Sequence, residues 1–217
     1  NGGSGSMTAF KPKKGELVAL PKNAFTRANY VFAGWNTKAD GSGTHYEDGA
    51  SITPDAYVKL FAQWTPSYSI SFDANGGEGS MSTLQVKKGS SQELPENIFT
   101  REYHDFDTWN TEADGSGTSY SPGDTIMPTK DITLYAQWNR YYVVSFYPNG
   151  GSGSMEKQRF DVGEEKELTP NAFTRLGYEF YAWNTAPNGT VTSYRDKQTI
   201  SLTSNLSLYA QWKHIYN

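Results

Sequence analysis

The sequence predicts an α+β protein, mostly β, assembled from three tandem copies of one small domain. Three observations carry that reading. A motif recurs at a fixed interval: Asn1-Gly2-Gly3-Ser4-Gly5-Ser6-Met7 returns as Asn75-Gly76-Gly77-Glu78-Gly79-Ser80-Met81 and as Asn149-Gly150-Gly151-Ser152-Gly153-Ser154-Met155, 74 residues apart each time. Apolar and polar residues alternate over short runs, the period of a half-buried strand. One stretch per copy lacks that alternation and follows a proline, as a short helix would. A period this long exceeds that of solenoid repeats and suits a small autonomous domain. The implied boundaries are 1–66, 67–140 and 141–217, with short links such as Trp64-Thr65-Pro66-Ser67 and Trp138-Asn139-Arg140-Tyr141. Size scaling gives each copy a width of ~30 Å, hence an extended array of roughly 90 Å.

Within a copy the elements follow in order. The opening strand is Tyr68-Ser69-Ile70-Ser71-Phe72, with its counterpart from Tyr142 to Phe146. A weaker second strand lies near Leu84–Lys87 and Arg159–Val162. The step Phe25-Thr26-Arg27, repeated as Phe99-Thr100-Arg101 and Phe173-Thr174-Arg175, reads as one or two helical turns pressing each Phe onto the sheet. A third strand holds Phe32, Phe106 and Phe180, and a short extra strand lies near Tyr46, Tyr120 and Tyr194. Each closing strand puts Leu, Ala and Trp on one face: Leu60, Ala62 and Trp64, then Leu134, Ala136 and Trp138, then Leu208, Ala210 and Trp212. The order is β-β-short helix-β-β, a sheet with a helix across it.

Two departures stand out. The first copy lacks its opening strand, so its sheet should carry an unpaired edge and an uncovered apolar strip. A strand donor is therefore a candidate partner for repeat 1, by β-strand addition. The tail Lys213-His214-Ile215-Tyr216-Asn217 aligns with the beginning of that strand but is too short to complete it. The second copy has Tyr103 where the others have Asn29 and Gly177, and tyrosine resists a left-handed backbone, so its turn should differ.

These ordered motifs resemble the Listeria–Bacteroides repeat, the family of the internalin B-repeats. The residues that carry the resemblance are Phe72-Asp73-Ala74-Asn75-Gly76-Gly77, then Phe99-Thr100-Arg101, then Trp109-Asn110-Thr111-Glu112-Ala113-Asp114-Gly115-Ser116-Gly117, and finally Leu134-Tyr135-Ala136-Gln137-Trp138. The resemblance covers nearly the whole chain. It implies small β-grasp-like domains from a protein at the bacterial cell surface or secreted from the cell. It implies little about activity.

Composition excludes several classes of function. The net charge is −4, without the basic face of a nucleic-acid binder. No cysteine is present, so disulfides, thiolate metal sites and a Cys nucleophile are excluded. No apolar run reaches membrane-span length and no signal peptide opens the chain. It begins inside a motif, which reads as a fragment of something longer.

The candidate chemistry is sparse. Asn-Gly-Gly-x-Gly-Ser-Met lacks the Lys and Ser/Thr of a phosphate loop and reads as a hairpin connection. Asp40-Gly41-Ser42-Gly43 and Asp114-Gly115-Ser116-Gly117 resemble the start of a calcium loop, but no closing Glu follows at the right distance and copy three has Pro187-Asn188-Gly189. A plain turn is preferred to a weak cation site there. His45, His104 and His214 fall at three unrelated places. No catalytic, metal or cofactor-binding residue is assigned, and the chain reads as no enzyme.

Trp35, Trp109 and Trp183 are the candidate ligand contacts. Strict alternation places them opposite Phe32, Phe106 and Phe180, where an exposed ring could stack on a sugar or anchor a protein. The competing reading is a bulge or an overlying loop, and it is favoured. The expected function is a structural stalk that presents another module. The alternatives are an adhesive module for glycan or protein, and a subunit of a polymer built by strand addition.

Overall fold

The computed structural model describes residues 1–216 and divides them into two compact units. One is Asn1–Phe99 with Asp107–Gln137; the other is Thr100–Phe106 with Trp138 onward.

Repeat 3, in the second unit, shows the plan of one copy. Tyr142–Tyr147, within the strand Ile132–Tyr147, is the opening strand. Gln158–Asp161 pairs with it antiparallel on one side, Tyr142 facing Phe160. The closing strand Leu206–His214 pairs with it in parallel on the other, with Val144 facing Leu206 and Phe146 facing Leu208. Tyr178–Asn184 then lies antiparallel to the closing strand, and Ser193–Tyr194 edges the sheet. A separate ladder joins Glu165–Glu167 to Thr199–Ser201. The period-2 pattern set this register. Val144, Phe146, Leu208 and Ala210 face one core, joined by Phe160, Leu168, Phe173, Trp183, Ile200 and Leu202.

The expected helix is absent. The described residues contain no helix, so the α+β reading, with its β-grasp-like β-β-short helix-β-β order, gives way to an all-β fold. Asparagine is the physical reason. Asn97 Nδ2 donates to the Phe99 carbonyl (3.0 Å) and Asn97 Oδ1 accepts from the Phe99 amide (3.0 Å). Asn23 brackets Phe25 in the same way, as Asn171 does Phe173. One side chain thus satisfies the donor and acceptor that a helical turn would have used, and the segment stays irregular. Thr26 and Thr174 add isolated bridges to Ser4 and Ser152. The expected function of this segment survives the loss of the helix, since Phe99 and Phe173 are buried.

The short link between the first two copies is not a loop. Phe61–Asp73 is one strand of 13 residues. Its first half pairs with Tyr30–Asn36 as the closing strand of repeat 1, and its second half pairs with Leu84–Lys87 as the opening strand of repeat 2. The changeover at Pro66 and Ser67 is itself paired: Ser67 N–H donates to the Asn29 carbonyl and Lys88 N–H to the Pro66 carbonyl (2.9 Å each). Proline fits because its missing donor falls where the ladder changes partner.

The turn at Tyr103 does not differ from its counterparts. Tyr103 adopts φ 57°, beside Asn29 at 61° and Gly177 at 79°. Ring contact of Tyr103 with Tyr141, and the Tyr141 amide donating to the Tyr103 carbonyl (2.9 Å), hold it there.

Candidate functional site

Trp35, Trp109 and Trp183 lie in the cores, with exposures of 6%, 0% and 0%. Trp109 and Trp183 are fully enclosed, and Trp35 reaches only a groove in repeat 1. A bulge explains how alternation misplaces them. Phe32 faces Trp64 and Gly34 faces Gln63, so Ala33 is an extra residue; Phe180 faces Trp212 and Ala182 faces Gln211, so Tyr181 is its equivalent. One inserted residue returns Phe and Trp to the same side. Their rings then meet, at 5.0 Å for Phe32 and Trp35 and 4.9 Å for Phe180 and Trp183.

The residue after each tryptophan was not singled out from the sequence, yet it organises a loop. Asn36, Asn110 and Asn184 are buried polar side chains. Asn110 Oδ1 accepts from the amides of Glu112 (2.9 Å) and Gly117 (3.0 Å), while its Nδ2 donates to the Gly115 carbonyl (3.1 Å) and Ser119 Oγ (2.9 Å). The Asp-Gly-Ser-Gly loop is therefore wrapped around the Asn110 amide. Its signal was present in the sequence as an unbroken Trp-Asn pair in every copy.

The loop aspartates are engaged locally. Asp40 Oδ1 accepts from the Ser42 amide (3.0 Å) and hydroxyl (2.8 Å), and these hold its carboxyl below the usual carboxylate range. The Ser116 hydroxyl and then its amide do the same to Asp114. In repeat 3 the neutral Asn188 accepts from the Thr190 amide (3.2 Å) and hydroxyl (2.8 Å). Charge is thus dispensable to the turn. No group of three or more His, Asp or Glu side chains able to hold a metal occurs among the described residues.

The histidines stay apart. His45 Nε2 lies 3.1 Å from Glu47, His104 Nδ1 lies 2.7 Å from the Glu102 carbonyl, and the His214 ring packs edge-on against Tyr178. Among the described residues no helix is long and apolar enough to cross a membrane.

One concavity stands out, in repeat 1. A groove of about 670 Å³ is lined by Phe10, Leu20, Phe25, Trp35, Tyr57 and Leu60, among others. It lies where repeats 2 and 3 carry their opening strands.

These features define a tandem all-β repeat whose shared residues serve folding: two tryptophans, a loop-centring asparagine and a Gly-rich turn. The chain belongs to the Listeria-Bacteroides repeat domain family, which matches residues 1–63, 68–137 and 142–211. Among its relatives is a protein of Evansella cellulosilytica whose name describes a Gly-rich membrane protein. It is 34% identical over 210 residues, which is 91% of this chain and 24% of that protein. Internalin H of Listeria monocytogenes is 31% identical over 137 residues, 63% of this chain and 24% of that protein. The chain thus spans about a quarter of the length of these relatives. No solved structure matches it at a significant level.

Proposed function

We propose that the chain is a spacer array of a bacterial cell-surface protein, holding another module away from the cell. The observation that supports this reading most directly is the unbroken strand Phe61–Asp73, which closes repeat 1 and opens repeat 2 with hydrogen-bonded partners on both halves. A joint made of paired strand resists bending, whereas a free linker of the same length would let the copies tumble. The relatives support the location: one carries a membrane protein's name and another is an internalin. The shared aromatics are buried in the cores, as a module selected for folding requires.

The absence of native cysteine makes the test direct. Spin labels at Glu47→Cys and Ser121→Cys, exposed equivalents in repeats 1 and 2, report the distance between copies. A narrow distribution is expected, unchanged by osmolytes. A broad one, spanning the range of a flexible tether, would remove the basis for a spacer.

A further inference from the structure

We propose that the groove of repeat 1 is a strand-acceptor site, and that its occupant is an extended segment of the Tyr68–Ala74 type joined directly to Asn1 and lying parallel to Val58–Trp64. Two independent observations carry this.

The first is the comparison between copies. In repeat 2 the closing strand starts at Ile132, with Ile132 facing Ile70 and Leu134 facing Phe72 in parallel. In repeat 3 it starts at Leu206, again paired in parallel with the opening strand. In repeat 1 strand structure begins only at Phe61. Val58, Lys59 and Leu60, the counterparts of Ile132, Thr133 and Leu134, have no partner strand and line the groove. Val58 is 42% exposed and Phe10 45% exposed, where their counterparts Ile132 and Leu84 are half-buried, and Leu60 is half-buried where its counterpart Leu134 is fully buried. An occupant with isoleucine facing Val58 and phenylalanine facing Leu60 reproduces the register already used in repeat 2. Pro12 stands where Val86 stands in repeat 2, so one wall lacks an amide donor and the closing strand supplies the main ladder.

The second observation fixes how the occupant is attached. Trp212 Nε1 donates to the carbonyl of Pro148, the residue immediately before Asn149 (2.9 Å). Trp64 is the counterpart of Trp212, and its Nε1 is buried with no acceptor. The equivalent acceptor is the carbonyl of a residue immediately preceding Asn1. The turn that follows is already set: Asn1 Nδ2 donates to the carbonyls of Ala39 (3.0 Å) and Ala62 (2.8 Å), as Asn149 does to those of Pro187 (2.8 Å) and Ala210 (2.9 Å). A strand continuous with Asn1 enters the groove without rearranging that turn, and its carbonyl satisfies a donor that is costly to leave unmade.

The test adds Tyr-Ser-Ile-Ser-Phe-Asp-Ala ahead of Asn1 and compares the chain with one whose extension has serine at the isoleucine and phenylalanine positions. Exchange of the tryptophan indole N–H groups and of backbone amides is followed by NMR, with Trp212 as the internal standard for folding. The full extension should slow the Trp64 indole N–H to the rate of Trp212. It should also slow the amides of Val58–Leu60 by about tenfold or more, while the serine version does neither. Equal protection by both extensions, or none by either, overturns the proposal. So does concentration-dependent dimerisation of the unextended chain that protects the same amides, because the occupant would then be a second copy. Binding of the free peptide as tightly as the joined strand acts would overturn the attachment at Asn1.

Discussion

Repeats 1 and 3 have the same ladder of tryptophan, asparagine and glycine, yet their cores are unequal. Repeat 3 buries Val144, Phe146, Phe160, Leu168, Phe173, Trp183, Ile200, Leu202, Leu208 and Ala210 together. The apolar core of repeat 1 buries only Leu20, Trp35 and Ala62, and Met7, Phe25, Phe32, Ile52 and Leu60 pack against them partly exposed. The difference is one strand and its neighbour. Val144 and Phe146 sit on the opening strand, and Phe160 sits on the strand paired with it; repeat 1 has no strand at either place. A single central strand therefore controls the burial of residues far from it in sequence, because each layer of the sheet needs the next to exclude water.

The sharpest way to break that comparison is to empty the same site in both copies. Trp183 touches Phe146, Phe173 and Phe180, so Trp183→Ala should cost about 3–5 kcal/mol. Trp35 contacts Phe25 and Phe32 beside an open groove, so Trp35→Ala should cost roughly half as much, since the space it leaves merges with the groove and creates less new enclosed cavity. Urea titration with repeat-resolved hydrogen exchange measures both. Equal losses would mean that the groove is already closed in solution.

Much of this was legible in the sequence. The 74-residue period, the alternation in Tyr68–Phe72 and the Leu-Ala-Trp face gave three copies, the strands of their main sheets and the missing strand of repeat 1, but not the separate two-stranded ladder of each copy, such as Glu165–Glu167 with Thr199–Ser201. Other features were not. A bulge adds one residue without any marker of its own: Ala33 and Tyr181 share no property that announces it. The helix was inferred from lost alternation and a proline, and both also describe an irregular segment whose backbone is satisfied by a side chain. Asn23, Asn97 and Asn171 were the available signal, because an asparagine two residues before a buried Phe can pair with both of its backbone groups. The buried Asn36, Asn110 and Asn184 were legible as a repeat but not as a role, since the distance between an amide and its loop partners appears only once the loop is folded.

The loop asparagines mark where the two copies should behave alike. Asn36 and Asn184 each accept two backbone amides, from Lys38 and Gly43 in one and from Ala186 and Val191 in the other. Truncation to Ala strands these groups, so Asn36→Ala and Asn184→Ala should each cost about 2–3 kcal/mol. A difference above ~1 kcal/mol between them would show that the open groove weakens the whole of repeat 1 and not its near side alone.

Repeat 3 has a weakness that repeat 1 lacks. Lys197 adopts φ 57° where repeat 1 has Gly49 at 73°. Left-handed backbone costs a non-glycine residue about 1–2 kcal/mol, and added freedom in the unfolded chain returns roughly 0.4–1 kcal/mol of any gain. Lys197→Gly should therefore stabilise repeat 3 by about 0.5–1 kcal/mol and widen its lead over repeat 1. A loss on this substitution would mean that the Lys197 side chain makes a contact worth more than the strain.

The smallest expected contrast appears in acid. Asp40 in repeat 1 has its carboxyl pKa lowered, first by the Ser42 amide and then by the Ser42 hydroxyl. A lowered folded-state pKa means that the bonded carboxylate stabilises the turn above the ordinary value of 3.8, and that this contribution is lost as pH falls through the folded value. In repeat 3 Asn188 holds the same geometry with a neutral amide oxygen, which does not titrate in that window. Amide exchange at Ser42 should speed up on acidification beyond its intrinsic rate, while Thr190 should follow the intrinsic rate alone. Asp40→Asn should abolish the excess and leave the turn intact, because repeat 3 already folds with asparagine there. If Thr190 lost protection in parallel with Ser42, the cause would be general acid loosening of both copies, and the local carboxylate would have no part in it.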